Sequence, residues 1–134
     1  MLNKKWARKN RNKKINYQAV WREKNKLTPR YTASKILENM KRLHRNKKFN
    51  YPVEFSLDDI ENIVKKGKCC KTGIKFERKT KGSAYAYPFS ASPDRVDNLK
   101  GYTRDNVQWV VYIYNIMKKD FSEEVLKKFI KRLK

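Results

Sequence analysis

Histidine occurs once in these 134 residues and cysteine only twice, and both scarcities narrow the chemistry open to the chain. The cysteines, Cys69 and Cys70, are neighbours. They cannot staple distant segments, and no CxxC pair is present, so no structural zinc is expected. A reducing intracellular setting fits such cysteine usage. No apolar run approaches the roughly 20 residues needed to cross a bilayer. The N-terminus carries charge with no apolar stretch behind it, which does not read as a secretory signal. Acid is the third scarcity: 13 Asp/Glu stand against 35 Lys/Arg, a net charge of +22.

So much positive charge is costly in self-repulsion, and a polyanionic partner, most commonly nucleic acid, is the simplest reason to tolerate it. The first half is the more basic, with 20 Lys/Arg against 6 Asp/Glu in residues 1–68. A content of 39% hydrophobic and 13% aromatic residues supplies a modest core, which argues against a wholly disordered polybasic chain. The length suits one domain and is short for two.

Residues 1–14 hold seven Lys/Arg and no acid. They are expected to form an arm that lies along phosphates and orders on binding. Tyr17, Val20 and Trp21 at i, i+3, i+4 predict a short helix over about 16–26, ending near Thr28-Pro29. Thr32 is the expected cap of the next helix, whose apolar stripe is Ala33, Ile36, Leu37, Met40 and Leu43. Lys35, Lys41, Arg42, Arg45, Lys47 and Lys48 crowd its other surface, and His44 beside the stripe reads as structural or as a solvent or phosphate contact. Phe49 to Phe55, interrupted by Pro52, reads as a short edge strand or extended link. Ser56 with Asp58 and Asp59 starts a helix that buries Ile60, Ile63 and Val64 and stops at Gly67 as a C′ residue. A tight turn over Cys70-Lys71-Thr72-Gly73-Ile74 leads to Phe76, and 77–84 reads as a basic mobile loop. A strand is predicted over Tyr85 to Ser92, a polar loop over Asn98 to Asp105, a second strand from Asn106, and then a helix carrying Asn115. Trp109, Tyr112, Ile113, Ile116 and Met117 are expected in the core. Ser122 caps a last helix with Val125, Leu126, Phe129, Ile130 and Leu133 as its buried stripe.

Asp94 and Asn115 suggest a site. A hard cation such as Mg²⁺ takes oxygen ligands, one or two from protein and the rest from water and phosphate. A carboxylate at a strand end and an amide oxygen on the following helix would suffice for metal-assisted phosphodiester hydrolysis. Singly, each residue has a plainer reading. Asp94 could be a turn carboxylate paired with Arg95 or Arg104, and Asn106 could be loop chemistry. Asn115 is the hardest to explain so, because it interrupts the apolar run Val110 to Tyr114, where a buried amide needs partners.

In register, the words Cys70-Lys71-Thr72-Gly73-Ile74, Ser92-Pro93-Asp94-Arg95-Val96-Asp97, Lys100-Gly101-Tyr102, Asn106-Val107-Gln108-Trp109-Val110 and Asn115-Ile116-Met117-Lys118 resemble the HNH (ββα-metal) nuclease superfamily, in particular its small phage and homing-type members. The resemblance spans about residues 32–121. It implies an α+β fold, mostly helical, with a ββα-metal core over about 85–120, so that 32–134 would be an HNH-like domain and 1–31 a basic N-terminal extension. It implies that Asp94 and Asn115 ligate one divalent ion, Mg²⁺ or Mn²⁺, with no small-molecule cofactor. Asn106 would buttress the loop, making Asp94, Arg95, Asn106 and Asn115 the catalytic set. The departure is Arg95, which stands where the family has the His that deprotonates water. Arginine stays protonated at any relevant pH and binds phosphate bidentately instead.

Three readings follow for Arg95. It clamps phosphate electrostatically without a base; or Asp97, Tyr87, Tyr102 or His44 is the base; or the scaffold binds DNA without cutting it. The expected activity is metal-dependent endonucleolytic hydrolysis of double-stranded DNA, by a monomer with no membrane association. The implied setting is the bacterial cytoplasm, with a phage or mobile-element origin. An RNA-binding basic protein is the other rival. The residues expected to meet phosphates are Lys4, Lys5, Arg8, Arg11, Lys41, Arg42, Arg45, Lys79, Lys81, Lys100 and Arg104.

Overall fold

Five helices and one antiparallel strand pair make up a computed structural model that describes residues 3–25, 28–45, 52–78 and 87–133. The order is α1 (Asn3–Asn25), α2 (Pro29–Arg45), α3 (Leu57–Lys66), β1 (Ala91–Arg95), β2 (Val107–Val111), α4 (Tyr112–Asp120) and α5 (Glu123–Arg132). The fold is therefore a small mixed α+β one, mostly helical. No helix among the described residues is long and apolar enough to cross a membrane.

The helix expected over about 16–26 begins already at Asn3 and takes in the basic arm. Residues 3–25 contain neither glycine nor proline, and straight-chain Lys, Arg and Gln lose little rotamer freedom in a helix. Asn25 ends α1 by returning its Nδ2 to the Trp21 carbonyl at 2.7 Å. The next helix also starts earlier than expected. Thr28, not Thr32, caps it, with its Oγ1 accepting the Tyr31 amide at 3.1 Å, and Pro29 takes the first helical position. Pro29 thus begins a helix where the sequence pattern has it end one.

The start of α3 follows its signals. The Ser56 hydroxyl accepts the Asp59 amide and the Asp59 carboxylate accepts the Ser56 amide, a complete capping box. Gly67 ends the helix in extended backbone (φ −76°), not in the left-handed conformation of a usual C′ glycine. It is needed there for room, since a Cβ would lie 2.5 Å from the Ile63 carbonyl oxygen. Arg30 joins α2 to α3 through Asp58 and through Glu61 at 2.8 Å. Ala33 and Met40 of α2, Ile60 and Val64 of α3, Phe55, Cys69, Phe76, Val110, Val111, Tyr114 and Leu126 form one buried cluster. At about 25 cal/mol per Å² of apolar surface, such burial is the main favourable term holding the helices to the hairpin.

The hairpin pairs Ala91 with Val111 and Arg95 with Val107. The predicted first strand lies too early: residues 87–90 form a turn closed by Ser90 N–H to the Tyr87 carbonyl, and the motif itself is the strand. The register puts Pro93 opposite Trp109 at a position whose N–H would point away from β2. The outer edge of β2 is used by the Cys-Lys-Thr-Gly turn, where Cys70 N–H donates to the Trp109 carbonyl at 3.0 Å.

Two packing expectations need correction. Of the apolar stripe on α5 only Leu126 is buried and Ile130 partly so, while Val125, Phe129 and Leu133 are exposed. That helix leans on its neighbours by one edge of its apolar face. Likewise Trp109 and Met117 pack on the core, but Ile113 and Ile116 are largely exposed, because α4 covers only one side of a two-stranded sheet.

Candidate functional site

Residues 96–106, which join the strands, are polar and would wander without ties. Asn106 supplies the ties. Its Oδ1 accepts the Asp97 amide at 2.9 Å, and its Nδ2 donates to the carbonyls of Asp97 at 3.0 Å and Gly101 at 2.9 Å. The amide is only 4% exposed, so each of these bonds replaces one that water cannot supply. Asp97 tightens the same loop by accepting the Leu99 amide at 2.9 Å. Outside the loop, Tyr102 exchanges backbone hydrogen bonds with Pro52 and Glu54. Gly101 makes that docking possible, since a Cβ on it would sit 2.5 Å from the Pro52 carbonyl oxygen.

Adjacent residues of a strand face opposite ways, and this separates Asp94 from Arg95. Arg95 turns to the loop. Its Nη1 donates to the carbonyls of Asn98 at 3.2 Å and Lys100 at 3.0 Å, and its guanidinium lies 5.2 Å from the centre of the Tyr102 ring. Asp94 turns to α4. It is buried, and both donors that reach it among the described residues converge on Oδ2: Gln108 Nε2 at 2.5 Å and Lys118 Nζ at 2.6 Å. Arg104 does not supply one of them. Arg104 instead donates to Asp59 at 2.9 Å and lies over the Phe55 ring.

Asn115 sits one turn before Lys118 on the same face of α4. Its Nδ2 donates to the Ser92 hydroxyl at 2.8 Å and reaches the Pro93 carbonyl at 3.5 Å. That orientation turns Oδ1 away from β1. Asp94, Asn115 and Lys118 line one open cleft of about 290 Å³, with Asn98, Tyr112, Ile116 and Lys119 completing the wall. The partners of the half-buried Asn115 amide are therefore Ser92 and the strand backbone.

The donor set bears on the divalent ion. Among the described residues no group of three or more His, Cys, Asp or Glu gathers in one place. The pair Asp94 and Asn115, both in the wall of the cleft, has one carboxylate with an oxygen, Oδ1, that no described donor occupies, and one amide oxygen. Two hard oxygens suit an ion that takes most of its ligands from water and phosphate, as Mg²⁺ does, and do not suit zinc.

The candidate bases fare unequally. Burial pushes the Tyr102 phenol above its ordinary value, and the hydrogen bond from Tyr87 to Glu77 (2.9 Å) does the same for Tyr87, so neither supplies phenolate near neutral pH. Asp97 is committed to the loop, and the His44 side chain lies outside the described residues. Of the expected phosphate contacts, Lys4, Arg8 and Arg11 on α1, Lys41 and Arg42 on α2, and Lys100 are exposed. The side chains of Lys5 and Arg45, and all of Lys79 and Lys81, lie outside the described residues.

Lys118, Gln108 and Ser92 surround Asp94 and Asn115, and sequence reasoning misses them as site residues. A signal exists for two of them: Lys118 is three residues after Asn115, and Gln108 lies directly across from Asp94 in the register. No protein-family model, curated protein or solved structure matches this chain.

Proposed function

We propose that the chain is a metal-dependent DNA endonuclease of the HNH (ββα-metal) kind, with Asp94 and Asn115 holding a single divalent ion, Mg²⁺ or Mn²⁺. The observation that carries this reading is the convergence of three residues 94, 106 and 115 on one strand–loop–strand–helix unit. Two of them line one cleft, and the third fixes the loop at its rim. A bound divalent ion supplies charge stabilisation to the phosphodiester and lowers the pKa of water. The protein's part is positional. Ser92 orients the Asn115 amide, Gln108 orients Asp94, and Asn106 keeps the Asn98 edge of the cleft in place.

In this reading Arg95 is a positioning residue. Its described hydrogen bonds hold loop carbonyls, on the face of β1 away from Asp94. Duplex DNA is the proposed partner, held through phosphates by the exposed basic residues of α1, α2 and the loop. A non-catalytic DNA clamp on the same scaffold is the second reading, and the Lys118–Asp94 ion pair favours it, because it neutralises the carboxylate without any metal.

Supercoiled plasmid with Mg²⁺, Mn²⁺ or EDTA separates the two. The expected outcome is nicking with metal, reduced by about 100-fold or more in Asp94→Ala and in Asn115→Ala, with DNA binding retained. Tight binding with no nicking under either metal would sink the enzyme reading.

A further inference from the structure

The least expected contact in the cleft is the one between Lys118 and Asp94. Lys118 Nζ lies 2.6 Å from Asp94 Oδ2, and the two side chains are 24% and 9% exposed. A surface ion pair of two mobile chains would carry little weight. This pair is mostly desolvated, and the carboxylate is held from the other side by Gln108. Breaking it leaves a buried charge without its counter-charge, so the ammonium leaves only for a better arrangement.

We infer that Lys118 is a built-in competitor for the cation site. In the protein without DNA its ammonium occupies Asp94, and it must be displaced for a divalent ion to bind there. The inference rests on the proposed role of Asp94 as a metal ligand. Two observations and one chemical argument support it. The ammonium and the Asn115 amide project from one face of α4 into one cleft, so a cation shared by Asp94 and Asn115 would lie beside Nζ. The neighbouring charge is also positive, with Lys119 in the same wall, so a divalent ion approaches a neutralised carboxylate among cations. Finally, Lys118 has somewhere to go. A phosphodiester entering the cleft brings negative charge, and the released ammonium is placed to bind it. Metal and DNA then bind with positive coupling, because each relieves the cost the other meets.

Mn²⁺ titration of the DNA-free protein, read by the loss of free-ion EPR signal, tests this on the wild type, Lys118→Met, Lys118→Arg and Asp94→Ala. Lys118→Met keeps the length and apolar stem of the side chain and removes its charge. The expected result is Mn²⁺ binding about tenfold or more tighter in Lys118→Met, the size of one charged hydrogen bond. Lys118→Arg should stay near wild type and Asp94→Ala should abolish the site. In nicking assays the Mn²⁺ concentration for half-maximal rate should fall in Lys118→Met while the maximal rate also falls. A residue needed only for folding would worsen both and lower the melting temperature. If Lys118→Met and wild type bind Mn²⁺ equally and Asp94→Ala abolishes both, the competitor role is wrong and the metal site stands. If Mn²⁺ binding is the same with and without Asp94, the metal reading falls and the competitor role falls with it.

Discussion

The loop between β1 and β2 and the helix α1 are both polar stretches lacking an apolar core of their own, yet they are held by opposite means. The loop has almost no regular secondary structure and is fixed by tertiary ties: the buried Asn106 amide, Arg95 over Tyr102, and the Tyr102 backbone on Pro52 and Glu54. The helix has unbroken local hydrogen bonding and, among the described residues, few tertiary ties. Tyr17 is 72% exposed and Val20 is exposed too, and its clearest contact is Trp21 against Tyr31, ring centres 6.3 Å apart. The loop therefore depends on a few buried polar groups, whereas α1 rests on helix propensity, and none of its described residues joins the buried core. A charged surface that need not be precise is well placed on α1, and a site that must be precise is well placed beside the loop.

Three changes sharpen that contrast. Asn106→Ala should have the largest effect, because it strands the Asp97 amide and the carbonyls of Asp97 and Gly101 in a buried place. A drop of about 2–4 kcal/mol in chemical denaturation is expected, together with loss of nicking. Asn106→Asp should be nearly as damaging, since a carboxylate cannot donate to two carbonyls. A small change in stability for both would mean that the loop is held by its ends alone.

Replacing Lys4, Arg8 and Arg11 together by Ala should leave the melting temperature within a few degrees and act on DNA instead. Affinity should fall, and the slope of log K against log salt should become shallower by about 0.9 for each phosphate that the variant no longer neutralises. An unchanged slope would remove α1 from the proposed DNA interface.

The smallest effect concerns acid. Hydrogen bonds from the Ser56 cap, with Arg104 nearby, hold Asp59 below its ordinary 3.8. Arg30 and Lys65 hold Glu61 below 4.5, and Lys71 does the same for Glu123. A carboxyl depressed by folding contributes stability above its unfolded value and loses it as pH falls through the folded one. The melting temperature should therefore be level above about pH 5 and decline below about pH 4.5, modestly because these groups keep part of their contact with water. High salt should shrink the decline, and an equal decline in Arg30→Ala would show that the α2–α3 pairs contribute nothing to it.

Much of this fold is legible in the sequence because its signals are local. The Ser56 box and the Ser122 cap close within three residues, and the helix between Ser56 and Gly67 has one apolar face that any packing would bury. The beginnings of α2 and β1 are misplaced by sequence reasoning for local reasons as well. Thr28 and Thr32 are both capable caps, and Pro29 serves equally to end one helix or begin the next. At the site, the residue types that could bind a cation are readable, but their surroundings are not. The ion pair on Asp94 comes from Lys118, while Arg104 goes to Asp59.

By itself the sequence determined the excess of positive charge, the order of elements through the hairpin, the cap-defined helices, and the placing of Asp94, Asn106 and Asn115 around one turn of chain. Those follow from composition and from hydrogen bonds that close over a few residues. Only the tertiary structure decided that Arg95 faces the loop, that part of the α5 stripe stays bare, and that an ammonium 24 residues away in sequence rests on Asp94. Strand alternation, the limited area of a two-stranded sheet and the seating of α4 against it settle those points, and each depends on which surfaces meet after the chain has folded.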